Sequence, residues 1–321
     1  MNYDVVALGE ILIDFAQEKL DESGYPTMAA HPGGAPANFL AAAAADGLRA
    51  AVIGKVGNDA FGRLLVNTLK EAGIGTDNVI MDDRVFTTLA FVTFSGDGDR
   101  SFSFARKPGA DTCIRAEEID LDLIRGYRDF HFGTLSLTNE PAIGATKKAV
   151  EYAKSAGKLI SFDPNLREPL WKDLNDAKEA IRYGLSVSDV VKISDNEVDF
   201  LFGVSPDEGA EILFSEYTNR KLVFVTCGAE GAIFKNAKAS GHVPILPGVR
   251  PVDTTGAGDI FGGTALAEVL KSGKAPEDLT AGELTAIVQT AGTAAGLSTM
   301  RPGGISSIPS REEVLDAARR F

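Results

Sequence analysis

Residues 51–73 read AVIGKVGNDAFGRLLVNTLKEAG and contain one strand and one helix in succession. AVIGKVG is a short, apolar, β-branched run of the kind that a sheet buries on both faces. In DAFGRLLVNTLKEAG the residues Phe61, Leu64, Leu65 and Leu69 fall on one helical face, and Gly73 follows as a stop. The same pairing recurs along the chain. DVVALG, HFGTLSL, LISFD, VVKIS and LVFVTCG read as further buried strands, among the helical patterns PANFLAAAAADGL, PAIGATKKAVEYAKSAG and DEGAEILFSEY. Two long helices close the sequence, GDIFGGTALAEVLKSG and ELTAIVQTAGTAAGLST. Strand and helix in alternation predict an α/β fold, a doubly wound and mostly parallel sheet with helices on both faces.

One region breaks the rhythm. VFTTLAFVTFSGDGDRSFSFARKPGAD gives two strand-like runs joined by the turn signal GDGD, and FAQEKLDESGYPTMAAHPGG is also poor in helix. These pieces, roughly residues 15–34 and 85–110, read either as a small β flap or as a surface hairpin and a loop. Without repeats, linkers or low-complexity tracts, residues 1–321 read as one domain with a β excursion.

A chain of 321 residues can bury roughly three quarters of its unfolded surface, so it needs no covalent staples. Cys113 and Cys227 form no spacing motif, which argues against a disulfide scaffold. The start, MNYDVVALGE, lacks a basic leader, and no apolar run approaches the ~18 residues of a membrane span, so a cytoplasmic location is expected. With 32 basic and 45 acidic side chains the net charge is -13, which excludes the basic stripe of a nucleic-acid binder. An anionic small ligand stays open, since a few basic groups, backbone amides and a metal can hold one.

Ligands of parallel sheets bind at the carboxyl ends of strands, and polar clusters gather at the predicted ends. Asp14 follows ALGEILI; Gly33, Gly34 and Asn38 lie in HPGGAPAN before a helix; Asp163, Asn165 and Arg167 lie in FDPNLREPLW. Lys192, Ser194 and Glu197 lie in KISDNE, and Thr226, Gly228 and Gly231 in VTCGAEG. Taken singly, each has a structural explanation: turns for the glycines, a cap for Asn38, ion pairs for Arg167, Lys192 and Glu197. His31, His131 and His242 show no metal spacing.

The segment 251–263, PVDTTGAGDIFGG, resists that explanation. Small residues at 256–258 let the backbone approach a ligand, and the amides that open a helix attract an anion. An Asp serving only as a cap needs no such run ahead of it. With a phosphoryl group on those amides, Asp259 stands beside the reacting atom, ready to accept a hydroxyl proton. The segment is neither a Walker loop, whose Lys is also missing from GNDAFGR at 57–63, nor the GxGxxG dinucleotide fingerprint.

DTTGAGDIFGG, GGAPANF, GKVGNDAFG and FDPNLREPLW together resemble the PfkB, or ribokinase-like, carbohydrate kinases, particularly their fructokinase branch. The resemblance runs from ALGEILIDF to PGGISSIPS. It implies a ribokinase-like fold with a small β-sheet lid over the sugar, and ATP-dependent phosphorylation of a sugar hydroxyl, foremost the 6-hydroxyl of fructose. Asp259 is then the base, with the backbone of Gly256, Ala257 and Gly258 as anion hole. Asp14, Gly33, Gly34 and Asn38 would hold the sugar, with Arg106 and Arg167 nearby. The nucleotide would lie along Lys192, Ser194, Thr226, Gly228, Gly231 and Gly258. Mg²⁺ would meet Glu197 through water, and K⁺ would sit among Asp253, Thr255, Ser298, Arg301, Gly303 and Ser307. A homodimer through the lid is also implied. Two positions depart from the pattern: Asn-x-x-Glu appears as Ser194-Asp195-Asn196-Glu197, and Gly292 stands where many relatives place an Asn near the adenine. 2-Keto-3-deoxygluconate kinase, ribokinase and nucleoside kinase are the alternatives within the class; a non-catalytic sugar or nucleotide sensor is the alternative outside it.

Overall fold

The computed structural model describes residues 4–94 and 100–319. The strands are β1 (Val5–Leu8), β2 (Leu12–Leu20), β3 (Pro26–Gly33), β4 (Ala50–Gly57), β5 (Ile74–Asp82), β6 (Leu89–Phe94), β7 (Arg100–Ala105), β8 (Asp129–Gly133), β9 (Leu159–Asp163), β10 (Val190–Ser194), β11 (Leu222–Thr226), β12 (Ala232–Asn236) and β13 (Ser240–Val243). The helices are α1 (Ala35–Ala45), α2 (Ala60–Glu71), the short α3 (Leu121–Arg125), α4 (Ala142–Ser155), α5 (Leu174–Val187), α6 (Asp195–Phe202), α7 (Pro206–Ser215), α8 (Ala257–Lys271), α9 (Ala281–Ser298) and α10 (Arg311–Ala318).

Nine strands form one sheet in the order β13-β12-β11-β10-β9-β8-β1-β4-β5. Every pairing is parallel except those of β12 with its two neighbours. From β1 the chain winds first to β4 and β5, then returns to β8 on the other side. The carboxyl end of β1 is therefore a topological switch point, the place where such sheets open a crevice.

Alternate residues explain why both faces are covered. Val6 and Leu8 of β1 join Phe130, Phe132 and Phe162 against α4 to α7, through residues such as Ala145, Ile181, Val198 and Leu213. Val5 and Ala7 pack the other way, against Leu40 of α1, Leu65 and Leu69 of α2 and Leu266 of α8. Leu284 and Val288 of α9 cover Phe224 and Phe234 farther along that face. Strands buried on both sides have no polar face, hence their continuous apolar spelling. No helix among the described residues is long and apolar enough to cross a membrane.

Two expectations need correction. HFGTLSL is not strand throughout: β8 ends at Gly133, and Thr134–Leu137 form a 3₁₀ turn. The Thr134 amide donates to the Pro164 carbonyl at 3.1 Å and its hydroxyl donates to the same oxygen, which draws the chain off the sheet. On α2, Leu65 and Leu69 are buried and Phe61 is partly covered, but Leu64 is 40% exposed. It lies one residue before Leu65, about 100° around the helix, and falls outside the core stripe.

Residues of the β excursion form a second sheet, in the order β3-β2-β6-β7. β6 and β7 pair antiparallel as expected, although the GDGD turn at 96–99 lies outside the described residues. Phe15 fixes this sheet to the larger body. Its ring stacks on Phe91 at 5.3 Å between centroids and meets Phe61 of α2 edge-on at 5.4 Å. Asp14, next in line, pairs in register with His31 and Ala90 and points from the opposite face.

Candidate active site

Three features of the sequence shape the start of α8. Asp253 fastens the preceding loop: its Oδ1 accepts from the amide (3.0 Å) and hydroxyl (2.7 Å) of Thr255, and its Oδ2 accepts from the Gly303 amide at 2.9 Å. Gly256 then turns the chain with φ 75, a left-handed conformation that suits glycine, and no side chain caps the helix. The Ala257 amide donates to Thr254 at 3.3 Å, and the Ile260 amide to Gly256 at 2.8 Å. The amides of Gly256, Gly258 and Asp259 make no hydrogen bond among the described residues. These open donors and the positive end of the helix dipole form the anion-attracting start. Gly258 serves close approach, since a Cβ there would meet Lys192 Nζ at 2.7 Å.

Asp259 is buried one residue further on, and two carboxamides hold it. Asn38 Nδ2 donates to Oδ2 at 3.0 Å and Asn165 Nδ2 to Oδ1 at 3.2 Å. Burial raises its carboxyl above the ordinary range, against the opposing pull of Arg167, the Asn38 hydrogen bond and Lys192. Asp14 is pushed up to about 6, again chiefly by burial, with Arg167 lowering it and Asp259 and Asp253 raising it. Asp14 therefore lies within electrostatic reach of Asp253, Asp259 and the exposed Arg167, and the recess is read from these side chains together with Gly33 and Asn38. Gly33 and Asn38 border the same recess: a Cβ on Gly33 would stand 2.9 Å from Asp14 Oδ2 and 3.9 Å from Asn38 Oδ1. Gly34, at φ 106, brings the chain against the Glu10 carbonyl, 2.4 Å from where its Cβ would lie.

On the other side of α8 runs a cleft of about 570 Å³. Lys192, Ser194, Thr226, Gly228, Gly231 and Gly258 line it, so the sequence-predicted nucleotide residues come together. Val243, Ile245 and Val288 give it apolar walls, and Gly292 lies among them. At its inner end Lys192 Nζ pairs with Asp163 Oδ2 at 3.0 Å. Burial lowers the Lys192 pKa, but Asp163, Glu197 and Asp259 outweigh it and raise the ammonium's pKa. Glu197 caps α6 through the amide and hydroxyl of Ser194, while its other oxygen accepts the Leu166 amide at 2.9 Å.

Other predicted residues are placed differently. Arg106 is buried and spoken for: it pairs with Asp111 at 2.6 Å and donates to Thr138 and the Leu135 carbonyl. It borders a larger cavity of about 1020 Å³ between β7, α4 and α5, which touches none of Asp14, Asn38 or Asp259. Among the described residues, a carboxylate, open amides and a cation come together at the start of α8. Of the cation set, Asp253, Thr255 and Gly303 are joined directly, and Ser307 closes onto Gly304 at 2.8 Å. Ser298 precedes Thr299, whose carbonyl accepts the Val252 and Asp253 amides, whereas the Arg301 guanidinium reaches Glu313. His131 stacks on Phe39 and bonds Ser161; burial takes its pKa down to about 3, so it is neutral.

The structure adds two groups that sequence reasoning did not assign. Asn165 was visible only as part of DPNLR; its reach to Asp259 depends on a left-handed backbone, φ 48, that no spelling announces. Glu10 accepts the Ala35 amide at 2.9 Å, and burial raises its carboxyl to about 7.

A carboxylate beside open amides, between an apolar cleft and a recess of hydrogen-bonding side chains, defines a phosphoryl-transfer type of site. Residues 2–311 match the pfkB family carbohydrate kinases, and the chain belongs to that family, with its ribokinase-like fold. A probable fructokinase-3 of Arabidopsis thaliana is 38% identical over 315 residues, covering 97% of this chain and 90% of its own length. The structure of a fructokinase with bound ATP from Xylella fastidiosa superposes with a TM-score of 0.90 at 29% identity, covering 100% of this chain and 99% of its own. A fructokinase double mutant from Vibrio cholerae O395, in its fructose-, ADP- and potassium-bound form, has a TM-score of 0.86 at 29% identity and 99% coverage of each chain.

Proposed function

We propose that this chain is an ATP-dependent fructokinase that converts D-fructose to fructose 6-phosphate. The observation that carries the reading is Asp259, held by two amides at an open helix start where the cleft and the Asp14 recess meet. Asp14, Gly33, Gly34 and Asn38 hold the sugar so that its 6-hydroxyl faces Asp259. The carboxylate accepts the hydroxyl proton as the oxygen attacks the γ-phosphorus, and ADP departs along the Lys192 cleft. Charge on the transferring group is met by the amides of α8, by Lys192 and by Arg167. Ala257 adds the turn rather than a donor, since its amide bonds Thr254.

Mg²⁺ on the nucleotide's phosphates supplies further charge stabilisation there. Glu197 is the residue proposed to hold it, through water; the buried Asp163 Oδ1, which has no hydrogen-bond partner, fits a hydrated cation beside it. No cluster of three His, Cys, Asp or Glu among the described residues could hold a metal directly, which suits a metal carried in on the nucleotide. The loops joined by the Asp253–Gly303 hydrogen bond are the proposed K⁺ site; the Vibrio relative is a potassium-bound form, which supports a monovalent cation in the reading. The small sheet acts as the lid over the sugar and as the face through which two copies pair. Its Asp14 side faces the sugar, and closure excludes water as a competing acceptor. The locking of Arg106 onto Asp111 takes one candidate carboxylate-binding cation of a ketodeoxygluconate kinase out of use, and the substrate panel below tests the contribution of the exposed Lys107 and Arg167.

ADP release measured with fructose, ribose, ketodeoxygluconate, fructose 6-phosphate and adenosine tests the reading. Fructose should be turned over selectively, and Asp259→Asn should lower turnover at least ~10²-fold with sugar binding nearly intact. Near-normal turnover in the variant removes Asp259 from the role of base.

A further inference from the structure

The loop after β9 is built more firmly than a substrate-binding loop requires. Asn165 and Arg167 both adopt left-handed backbone, φ 48 and 45, on either side of Leu166. A non-glycine residue keeps such backbone only where its surroundings impose it. Leu166 supplies the imposition. Its amide donates to Glu197 Oε1 at 2.9 Å, and its carbonyl accepts from Trp171 Nε1 at 2.7 Å. The side chain thereby presented is Asn165, 8% exposed, whose Nδ2 lies 3.2 Å from Asp259 Oδ1. Asn38, on α1 across the recess, takes the other oxygen at 3.0 Å.

We propose that Asn165 is a positioning residue for the base: with Asn38 it clamps both oxygens of Asp259, fixing the carboxylate plane toward the acceptor hydroxyl and favouring its ionised form. The inference rests on the kinase reading above. Two carboxamides from different elements cannot be replaced by one, because a carboxylate held at a single oxygen still rotates about its last torsion. The proton taken from the sugar goes to a remaining lone pair of Asp259, so Asn165 donates throughout and neither gains nor loses a proton. Other charges face the base as well: Arg167 and Asp163 from the β9 end, Lys192 from β10, Glu197 from α6 and Asp14 from β2, with Asp253 of the α8 loop facing Asp14 in turn. The pH test must therefore change Asn165 while leaving all of these in place.

Glycine tolerates φ 48 and deletes the carboxamide together with its Cβ, whereas aspartate keeps the shape and replaces the donor with a charge. With fructose, ATP and Mg²⁺, Asn165→Gly should lower kcat roughly tenfold, a fraction of a full base contribution. The acid limb of its kcat/KM profile should move up by about one pH unit, since a hydrogen bond to the ionised form has been lost. Asn165→Asp should move the limb further the same way, because a second carboxylate opposes ionisation of the first. KM for fructose should change less than about threefold in the glycine variant, as expected of a group acting through the base. Trp171, the one tryptophan of the chain, reports by its fluorescence whether the loop has kept its place. A glycine variant with the wild-type kcat and acid limb overturns the proposal. So does a fall in kcat with an altered Trp171 emission and an unmoved limb, which would make loop geometry the cause. A wild type inert toward every sugar overturns the kinase reading and the clamp with it; an active wild type beside an unmoved glycine variant overturns the clamp alone.

Discussion

A carboxylate placed in the first turn of α8 would by itself compete with the anion that the helix start attracts. Here Asp259 turns toward Asn38 and Asn165, and the open amides lie on the chain just before it. The separation depends on small residues, and Gly258 is the sharpest case. A methyl group there would overlap Lys192 Nζ, the cation nearest the expected phosphates. Within a helix, Gly to Ala gains up to about 1 kcal/mol of intrinsic preference. Gly258→Ala should nevertheless lower the melting temperature, because displacing Lys192 from its buried pair with Asp163 costs about 3–5 kcal/mol, more than the helix preference returns. We expect KM for ATP to rise about tenfold, in line with a contact worth roughly 1.4 kcal/mol. Steady-state kinetics beside a melting curve checks this; unchanged kinetics would mean that Lys192 has room to step aside.

Among the elements, the small sheet meets the body through Phe15 as well as Ile13, Ala30 and Leu89, so trimming Phe15 loosens its attachment without removing it. Phe15 is half-buried between Phe91 and Phe61, and aromatic pairs add about 0.5–1.5 kcal/mol beyond area burial. Because Asp14 is its neighbour in β2, Phe15→Ala should raise KM for fructose severalfold more than KM for ATP. Stability should fall by only about 1–3 kcal/mol. Equal effects on both KM values would show that the sheet acts on the whole site and not on the sugar. What was legible at this scale follows the same physics. Strands buried on both faces spell continuous apolar runs, so β1, β4, β9, β10 and β11 stand out, and the glycine clusters mark their ends. Features set by distant partners were not legible: the early end of β8 depends on the Pro164 carbonyl, and edge strand β5 mixes polar residues into a half-buried run, so no continuous apolar spelling marks it. The DTTGAGD turn and helix start were readable because their spacing is local. The Asn165 contact was not, because 94 residues separate it from Asp259.

Across the whole molecule, the crevice gathers carboxylates that the fold desolvates. Burial raises Glu10 to about 7 and Asp14 to about 6. For such groups the native state binds protons more tightly than the unfolded chain, so stability declines as pH climbs from about 4 to 7. At the surface the sign reverses. Glu283 and Glu313 are lowered to about 2 by hydrogen bonds from Lys274 and Arg301 respectively, and their contribution is lost as pH falls below about 4.5. The two trends place maximal stability of the ligand-free protein near pH 5. Net charge of -13 adds a general repulsion that also grows with pH, so the wild-type curve alone cannot assign the decline to the crevice. Glu10→Gln separates the two. A glutamine oxygen still accepts the Ala35 amide, and the change alters the net charge by one unit in a chain with 45 acidic groups. The variant should melt at nearly the wild-type temperature at pH 5 and higher than wild type at pH 8, flattening the curve between. A curve parallel to wild type across that window would assign the decline to surface repulsion and leave Glu10 a silent member of the site.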